Sequence, residues 1–325
     1  MNKKTKLWLA AGVALILIGV LLFAGVMAGN HWNFAAVSGG EYETRTFDIL
    51  ESFEHISVRT DTADLQFLPS ETGTCRMVCQ EPPNAKHATA VEDRTLLIEL
   101  EDTRTWFEKL SLFSFASPKL TVYLPEREYA SLVIDDDTGN ITIPNDFTFG
   151  SIRITAGTGD VDCGASTPGQ TGIETSTGDI RMQGVSAGEL ALSVSTGRVE
   201  LASVACAGEL RVTVSTGKAV LTDVACRSLV SGGSTGDLTL EDVVAAERIS
   251  IRRSTGDVDF VRCDAAELDI QTDTGDVTGS LLTEKVFLTK TDTGRVRVPE
   301  TTSGGPCRIT TDTGDISVRV GRLTD

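Results

Sequence analysis

The sequence predicts an all-β fold, a single-stack parallel β-solenoid with coils of about 19–20 residues, preceded by one N-terminal transmembrane helix. A Thr-Gly pair recurs at intervals of 19 or 20 residues, apolar residues alternate on both sides of each pair, and an uncharged apolar run stands near the N-terminus. The recurring glycines are Gly139, Gly159, Gly178, Gly197, Gly217, Gly236, Gly256, Gly275, Gly294 and Gly314. A period this short is typical of a solenoid, in which each coil contacts only its neighbours.

Residues 1–29 are predicted to form a transmembrane signal-anchor. Residues 7–28 carry no charge, and a helix of that length extends roughly 33 Å, enough to cross the bilayer core. Three lysines precede this run and an acidic body follows it, so we expect a single-pass cell-membrane protein whose C-terminal body is extracytoplasmic. The alternative is a cleaved signal peptide, for which the small residues of Val26–Ala28 offer a cleavage site.

Residues 30–45 are predicted to be a linker, and residues 46–130 an N-terminal β coil and cap region. The segment Thr60–Asp64 repeats the pattern of Thr272–Asp276 with alanine in place of glycine, which indicates a degenerate first coil. Further strands are predicted at residues 75–80, 95–100 and 119–124. The aromatic run Trp106–Phe115 is interpreted as a cap over the open end of the solenoid, or alternatively as a patch that meets a partner or the bilayer.

Residues 131–325 contain the solenoid repeats. With the recurring glycine as position zero, positions −7, −5, +2 and +4 are mostly apolar, and spacing by two predicts strands with one buried face. The inward positions are odd before the glycine and even after it, so the glycine is predicted to form a corner that needs positive φ or a tight bend. Threonine precedes the glycine in all ten copies, and stacked coils would align these hydroxyls into a ladder.

Position +1 carries most of the charge of the repeat. Its residues are Asn140, Asp160, Asp179, Arg198, Lys218, Asp237, Asp257, Asp276, Arg295 and Asp315. Opposite charges on neighbouring coils, as in Asp276/Arg295/Asp315, would stabilise the stack by a few tenths of a kcal/mol each. The column of Asp237, Asp257 and Asp276, with Asp273 at −2, could hold Ca²⁺, and the alternative is a solvated edge that sets the register.

Arg253 does not fit the pattern of its column. It stands at position −3, which small or apolar residues otherwise fill apart from Asp136. The sequence therefore predicts either that this column is partly exposed or that Arg253 points outward locally.

The charge and cysteine content narrow the class of protein. The chain has 29 Lys and Arg against 46 Asp and Glu, a formal net charge of −17, which excludes the basic patch that nucleic-acid binding requires. Its seven cysteines cannot all pair within one chain. Those in the repeats fall at or near small apolar positions, so we interpret them as core thiols, with disulfides as the alternative.

The residues that suggest catalysis are explained by the repeat. The triplet Asp-Thr-Gly of aspartic proteases starts at Asp137, Asp273, Asp292 and Asp312. These are phases of one array in which serine replaces the aspartate elsewhere, so a paired-carboxylate protease is rejected. The three histidines lie outside the repeats, and beyond residue 150 the only aromatic residues are Phe260 and Phe287, too few for sugar stacking. We predict no catalytic, cofactor-binding or metal-binding residues and no cofactor.

The ordered motifs resemble a known family. They are the degenerate coil Ile56–Leu65, the segment Leu120–Pro125 followed by Tyr129 and Leu132, and Thr-Gly-Asp units at 158–161, 177–180, 235–238, 255–258, 274–277 and 313–316. Over about residues 46–325 they resemble bacterial envelope proteins described as "putative adhesins" with β-strand repeats. The resemblance implies a right-angled or flattened β-helix-like fold, often tethered to the membrane and sometimes linked to envelope-stress regulation. It carries no catalytic residues.

These observations predict a non-enzymatic, membrane-tethered extracytoplasmic β-solenoid that acts as an adhesin, surface scaffold or binding module. One alternative is an accessory protein of a cell-envelope stress sensing system that acts through a membrane partner. A polysaccharide-active enzyme is a less favoured alternative. The expected partners are the membrane and an envelope protein or cell-wall component, whereas nucleic acid and a small-molecule substrate are not favoured.

Overall fold

The computed structural model describes residues 3–29, 42–102 and 117–321. It contains one helix, α1, at Lys3–Gly29. Among the described residues, no helix combines the length and the hydropathy that a membrane span requires. The aromatic run Trp106–Phe115 and most of the predicted linker lie outside the described residues.

The rest of the described chain is β-structure in a single sheet of 21 strands. The strands are β1 Glu43–Ile49, β2 His55–Thr60, β3 Asp64–Pro69, β4 Cys75–Glu81, β5 Ala85–Glu92, β6 Thr95–Asp102, β7 Lys119–Leu124, β8 Glu128–Thr138, β9 Ile141–Ile143, β10 Thr148–Thr158, β11 Val161–Cys163, β12 Thr167–Thr177, β13 Ile180–Gln183, β14 Ser186–Thr235, β15 Leu238–Thr255, β16 Val258–Thr274, β17 Val277–Leu281, β18 Lys285–Thr293, β19 Val296–Arg297, β20 Gly305–Thr313 and β21 Ile316–Val320. The long strands β14, β15 and β16 run through corners, and their pairing with the next coil shifts register there. The prediction of an all-β solenoid of stacked parallel coils is confirmed.

The coils stack in register, and their alternating apolar residues fill the interior. Ile152 pairs with Leu132 of one neighbouring coil and with Thr171 of the other. The inward side chains at the predicted positions are buried, as Leu190 and Val199 illustrate at 1% and 0% exposure. Burial of apolar area at roughly 25 cal/mol per Å² is what drives such a stack, because each coil covers the face of the next.

The glycine corner has the geometry that the sequence predicts. Gly178 has φ 138°, and a Cβ at this position would overlap the carbonyl oxygen of Gly159 in the neighbouring coil. Any other residue would therefore suffer both backbone strain and a steric clash.

A second corner, at position +6, was not predicted from the sequence. Ser203, Asp223, Asp242 and Arg262 all occupy the left-handed region there, with φ of 52–53°. Side chains of this column contact each other across coils. Ser203 Oγ donates to Asp223 at 2.8 Å, and Arg262 Nε donates to Asp242 at 2.6 Å. These polar contacts help to offset the strain of a left-handed residue that is not glycine.

At the N-terminal end the first coil in sequence is not the outermost coil. Strands β2 and β3 lie between β8/β9 on one side and β6/β7 on the other, all parallel. Strand β4 then pairs antiparallel with β7, β1 with β4, and β5 with β6, which closes this end. The degenerate first coil and the three strands predicted in this region are all present.

The C-terminal end has the same kind of interchange. Strands β20 and β21, the last in the chain, lie between β16/β17 and β18/β19. The outermost coil is therefore the last but one in sequence. The predicted contact between Asp276 and Arg295 is wrong, because the coil of Asp315 lies between them, whereas the predicted contact between Arg295 and Asp315 is confirmed.

All seven cysteines are buried and none is paired. The interpretation of the repeat cysteines as core thiols is confirmed. Burial raises the pKa of the Cys163 thiol to about 11 and that of Cys226 to about 12, so both are protonated and unreactive at neutral pH.

Candidate functional site

The aspartates of position +1 form hydrogen-bonded ladders along the corner. In the first ladder, the Oδ1 atoms of Asp64, Asn140, Asp160 and Asp179 accept the backbone N–H groups of Asn140, Asp160, Asp179 and Arg198 at 2.9–3.0 Å. In the second, those of Asp237, Asp257, Asp276 and Asp315 accept from Asp257, Asp276, Asp315 and Arg295 at 2.7–3.1 Å. Each of these side-chain oxygens thus accepts a hydrogen bond from a backbone N–H at the corner of the next coil.

Each ladder ends at an arginine. Arg198 and Arg295 donate their backbone N–H but carry no side-chain acceptor to continue the series. Arg295 also forms an ion pair with Asp315 at 2.9 Å. In the first ladder Arg181 pairs with Asp160 at 2.9 Å and Asp179 at 2.7 Å, which relieves the repulsion between their carboxylates.

The ladder bonds lower the pKa of two of the carboxyl groups that accept them, those of Asp160 and Asp315. The pKa of Asp160 is lowered first by the N–H of Asp179 and then by Arg181. The pKa of Asp315 is lowered first by the N–H of Arg295 and then by its side chain. Because the folded-state values lie below the unfolded ones, this stabilisation is present at neutral pH and is lost as the pH falls through the acid range.

The predicted threonine ladder is replaced by this aspartate ladder. The hydroxyls at −1 form no hydrogen bonds with one another in the described coils. Where threonine stands at −3, its hydroxyl instead donates to a corner glycine carbonyl of the neighbouring coil. Thr311 donates to Gly275 at 3.1 Å and Thr291 to Gly314 at 3.0 Å.

The calcium hypothesis for the acidic column has no support in this geometry. Oδ1 of Asp237, Asp257 and Asp276 is already used by a backbone amide. Among the described residues, the acidic column brings no three ligand atoms within 4.8 Å of one another. The column therefore sets the register of the corner.

The Asp-Thr-Gly aspartates lie on the outer side of the same corner. Asp273, Asp312 and Asp292 are exposed and occupy the same position in three successive coils, since Thr274 pairs with Thr313 and Thr293 pairs with Thr313. They form a convex edge and do not converge on a cleft between two lobes, which a protease of this kind requires.

A buried polar cluster at the capped end was missed by sequence reasoning. Cys79, Glu81 and His87 are 0%, 1% and 2% exposed, and one ligand atom from each lies within 4.8 Å of the others. Strand β4 supplies Cys79 and Glu81 on one face, and β5 supplies His87. The signal was weak, because a Cys-x-Glu spacing and a histidine six residues later match no metal motif.

The cluster is hydrogen-bonded internally. His87 Nδ1 and backbone N lie 2.7 Å and 2.9 Å from Oε2 of Glu81, and Nε2 lies 2.9 Å from the Thr60 hydroxyl. Arg45 Nη1 donates to Oε1 of Glu81 at 3.1 Å. The set of thiol, imidazole and carboxylate suits zinc in chemical type. However, a metal would have to replace the proton between His87 and Glu81 next to the positive charge of Arg45, and burial first, then Glu81, raises the pKa of Cys79 to about 12. The residues fit a buried hydrogen-bonded network that stabilises the capped end better than they fit a metal centre.

Two charged residues lie buried in the −3 column. Asp136 is 2% exposed and Arg253 is 3% exposed. Neither carboxylate oxygen of Asp136 has a hydrogen-bond partner, and Nε and Nη1 of Arg253 have none either. Both sequence interpretations of Arg253 are wrong, because the column is interior and the side chain does not point outward.

A surface depression lies on the outer face of β8, β10, β12 and β14. It has a volume of about 720 Å³, and its floor includes Gly172 and Ala191, which leave little side chain above the sheet. Arg153 and Arg211 stand on either side of this floor, and the rest of the lining is mainly Ser, Thr, Gln and Glu. Arg211 is ion-paired with Glu209, whereas Arg153 is exposed and has no hydrogen-bond or ion-pair partner among the residues that the structure describes. The depression suits a polar ligand that lies along the stack.

The fold and its corners define the class as a parallel β-solenoid whose conspicuous acidic residues are structural. The chain belongs to the Toastrack DUF4097 family, whose model matches residues 53–218 and 207–323. None of the curated proteins matches the chain.

Solved structures are similar to this chain at low identity. A structure described as a "putative adhesin" from Bacteroides fragilis is 15% identical and covers 87% of this chain and 99% of its own, with a TM-score of 0.43. One described as a "putative lipid binding protein" from Parabacteroides distasonis is 16% identical and covers 87% and 98%, with a TM-score of 0.46.

Proposed function

We propose that this protein is a non-enzymatic binding scaffold, held at the cell membrane by its N-terminal segment, with the solenoid outside the cytoplasm. One observation carries the proposal: the +1 aspartates that suggest metal binding are used to join one coil to the next, and the Asp-Thr-Gly aspartates that suggest catalysis lie exposed along one edge of the stack. What remains on the surface is a long, regular face with a polar depression.

The outer face of the early coils is the proposed binding surface. Gly172 and Ala191 lower the sheet surface between Arg153 and Arg211, which stand three coils apart, or roughly 14 Å. The lining has Arg153 at one end, the ion-paired Arg211 and Glu209 at the other, and Glu174 and Glu189 between them. This arrangement matches an extended polar polymer of mixed charge, such as a cell-wall or surface glycan. A rigid sheet that presents such a surface loses little conformational entropy on binding.

The tether is inferred from sequence. Residues 7–28 are uncharged, lysines precede them and the body that follows is acidic, which favours an extracytoplasmic body. A cysteine introduced on the exposed face of the solenoid, for example at Thr274, should react with a membrane-impermeant maleimide on intact cells. Labelling only after lysis would place the body in the cytoplasm and refute this part of the proposal.

Binding can be tested with detergent-solubilised full-length protein and isolated cell-wall polysaccharide. Gly172→Gln should weaken binding at least tenfold, because open space lies above this glycine and the new side chain would fill the depression without disturbing the fold. Ser250→Gln is the matched control, since it changes the same position of the repeat outside the depression and should leave binding unchanged. Equal binding by both variants would contradict the proposed surface. Capture of a membrane protein that is insensitive to Gly172→Gln would favour the accessory role in envelope-stress sensing.

A further inference from the structure

The two ends of the solenoid differ in how they are covered. At the N-terminal end, β4 and β5 pair antiparallel with the outermost parallel coil, which β6 and β7 form, and so cover it. At the C-terminal end the outermost coil consists of β18 and β19, which pair with β20 and β21 on one side. Within the part of the chain that the structure describes, no strand pairs with their other side. The outer edge of this coil is therefore open.

The open end exposes side chains that other coils bury. Val296 is 42% exposed at position +2, where Val277 and Ile316 are both fully buried. Phe287 at position −7 is only partly buried, whereas Cys307, with which it pairs in the adjacent coil, is 0% exposed. A stacked array needs a cover over such an end, and an unpaired edge is a ready template for another strand.

The strand along this edge is complementary in charge to a second copy of itself. Lys290 and Asp292 form an ion pair at 3.0 Å, and their side chains are 70% and 59% exposed. Both point to the outer face of β18, because they alternate with the partly buried Thr289 and Thr291. If two such strands pair antiparallel about Thr291, Lys290 of each copy faces Asp292 of the other. Opposite charges in such directly opposed positions attract each other.

The cap at the N-terminal end restricts how copies can meet. A head-to-tail stack would place the open coil of one copy on the coil of β6 and β7 in the next, and the cap already occupies that position. Two open ends meet through a two-fold axis instead, and this arrangement closes after two copies. The cap also shows that the stack accepts an antiparallel strand at its end, since β4 pairs with β7 in this way.

We propose that two copies of this chain join through their C-terminal ends, with β18 of one copy paired antiparallel with β18 of the other about Thr291. The pairing supplies partners for the backbone N–H and C=O groups of both open edges. It also brings the partly exposed apolar residues of the two end coils together. The proposal does not rest on the membrane tether or on the polar depression of β8, β10, β12 and β14.

Two charge reversals in detergent-solubilised full-length protein test this interface. Lys290→Asp sets carboxylates against each other across the two-fold axis, and Asp292→Lys does the same with ammonium groups. Sedimentation equilibrium should show a concentration-dependent dimer for the wild type and a dissociation constant that is at least about tenfold higher for each variant alone. An equal mixture of the two variants should recover wild-type affinity, because every opposed pair then has opposite charges. The double variant Lys290→Asp/Asp292→Lys should recover it as well.

Arg248→Asp is the matched control, because it makes the same change of charge at an exposed position of β15, inside the stack. It should dimerise like the wild type, and equal melting temperatures of all variants would show that folding is intact. A wild type that stays monomeric would overturn the proposal. So would single variants that dimerise like the wild type, as association through α1 would produce, or a mixture that fails to recover affinity.

Discussion

The backbone N–H of Asp315 donates to Oδ1 of Asp276 at 2.7 Å, although 39 residues separate them in the chain. The ladder hydrogen bonds between consecutive Thr-Gly repeats span only 19 or 20 residues, as the bond between Asp257 and Asp276 does. The last coil has therefore taken the place of the one before it, and the displaced coil, β18 and β19, forms the outer end. The N-terminal end shows the same device, since Asn140 donates to Asp64 across 76 residues.

The ladder predicts a specific difference between two substitutions. Asp257→Ala removes the acceptor for the N–H of Asp276 and should lower the free energy of unfolding by about 1 kcal/mol. Asp257→Asn keeps an acceptor oxygen and removes a negative charge between two others, so it should be neutral or slightly stabilising. Denaturant unfolding measures both. Asp273→Ala, an exposed residue of the neighbouring column, is the control. Equal loss in both Asp257 variants would contradict the ladder.

Asp136 should make the protein less stable as the pH rises. The pKa of Asp136 is raised to about 7, first by burial and then by the negative charges of Asp137, Asp64 and Asp61. The nearby N–H of Thr138 opposes this rise, although it does not reach hydrogen-bonding geometry. The folded state then holds a proton that the unfolded chain has released above about pH 4. Stability contributed at this site is fully present below that pH and falls until about pH 7.

Asp136→Thr tests this expectation, because threonine fits the same position in other coils. The variant should be more stable than the wild type by about 2–4 kcal/mol at pH 8, with the difference vanishing near pH 4. Thermal unfolding across this range gives the difference curve. A difference that is constant with pH would show that the carboxyl group does not titrate as described.

The buried cluster should depend on its hydrogen bonds. Glu81→Gln leaves Arg45 and His87 facing a neutral amide and should cost about 3–5 kcal/mol, the range for breaking a buried ion pair. Cys79→Ala removes no hydrogen bond in this network and should cost less. A chelator should not change the melting temperature of the wild type. A chelator effect that Cys79→Ala abolishes would instead identify a metal centre.

The corner glycines should tolerate no substitution. Gly178→Ala combines φ of 138° with an overlap between the new Cβ and the carbonyl oxygen of Gly159, so we expect a loss of about 3 kcal/mol or more. Gly172→Ala is the control in the same coil, because open space surrounds its Cβ position, and it should be neutral. Comparable losses in the two variants would mean that the corner is not the constraint.

The parts of the fold that were predictable follow from local patterns. Alternating apolar residues place Leu190 and Val199 inside, and the invariant Thr-Gly pair marks one corner. The order of the end coils was not predictable, since coils that share one pattern can replace one another in the stack. The +6 corner was missed because its column mixes Gly184 and two aspartates, which favour positive φ, with Ser203 and Arg262, which carry no such signal.

The chemistry of single residues was harder to predict than the fold. An aspartate at +1 has the same sequence signature whether it binds an ion or accepts a backbone N–H. Only the distance between neighbouring coils shows which of these two roles it has. Arg253 required knowledge of which coil lies beside it, because Gly233 leaves the space that its guanidinium fills. The Cys79, Glu81 and His87 cluster forms only when β4 and β5 close the N-terminal end.

The order of the coils is the most direct test of this account. Cysteines introduced in pairs at the exposed positions Thr274, Thr313 and Thr293 can be joined by a thiol crosslinker of about 5 Å, the spacing of adjacent coils. Since the native cysteines are buried, they should not compete. The structure predicts crosslinking of Thr274 with Thr313 and of Thr313 with Thr293, but not of Thr274 with Thr293, which lie two coils apart. Efficient crosslinking of Thr274 with Thr293 would contradict it and restore stacking in sequence order.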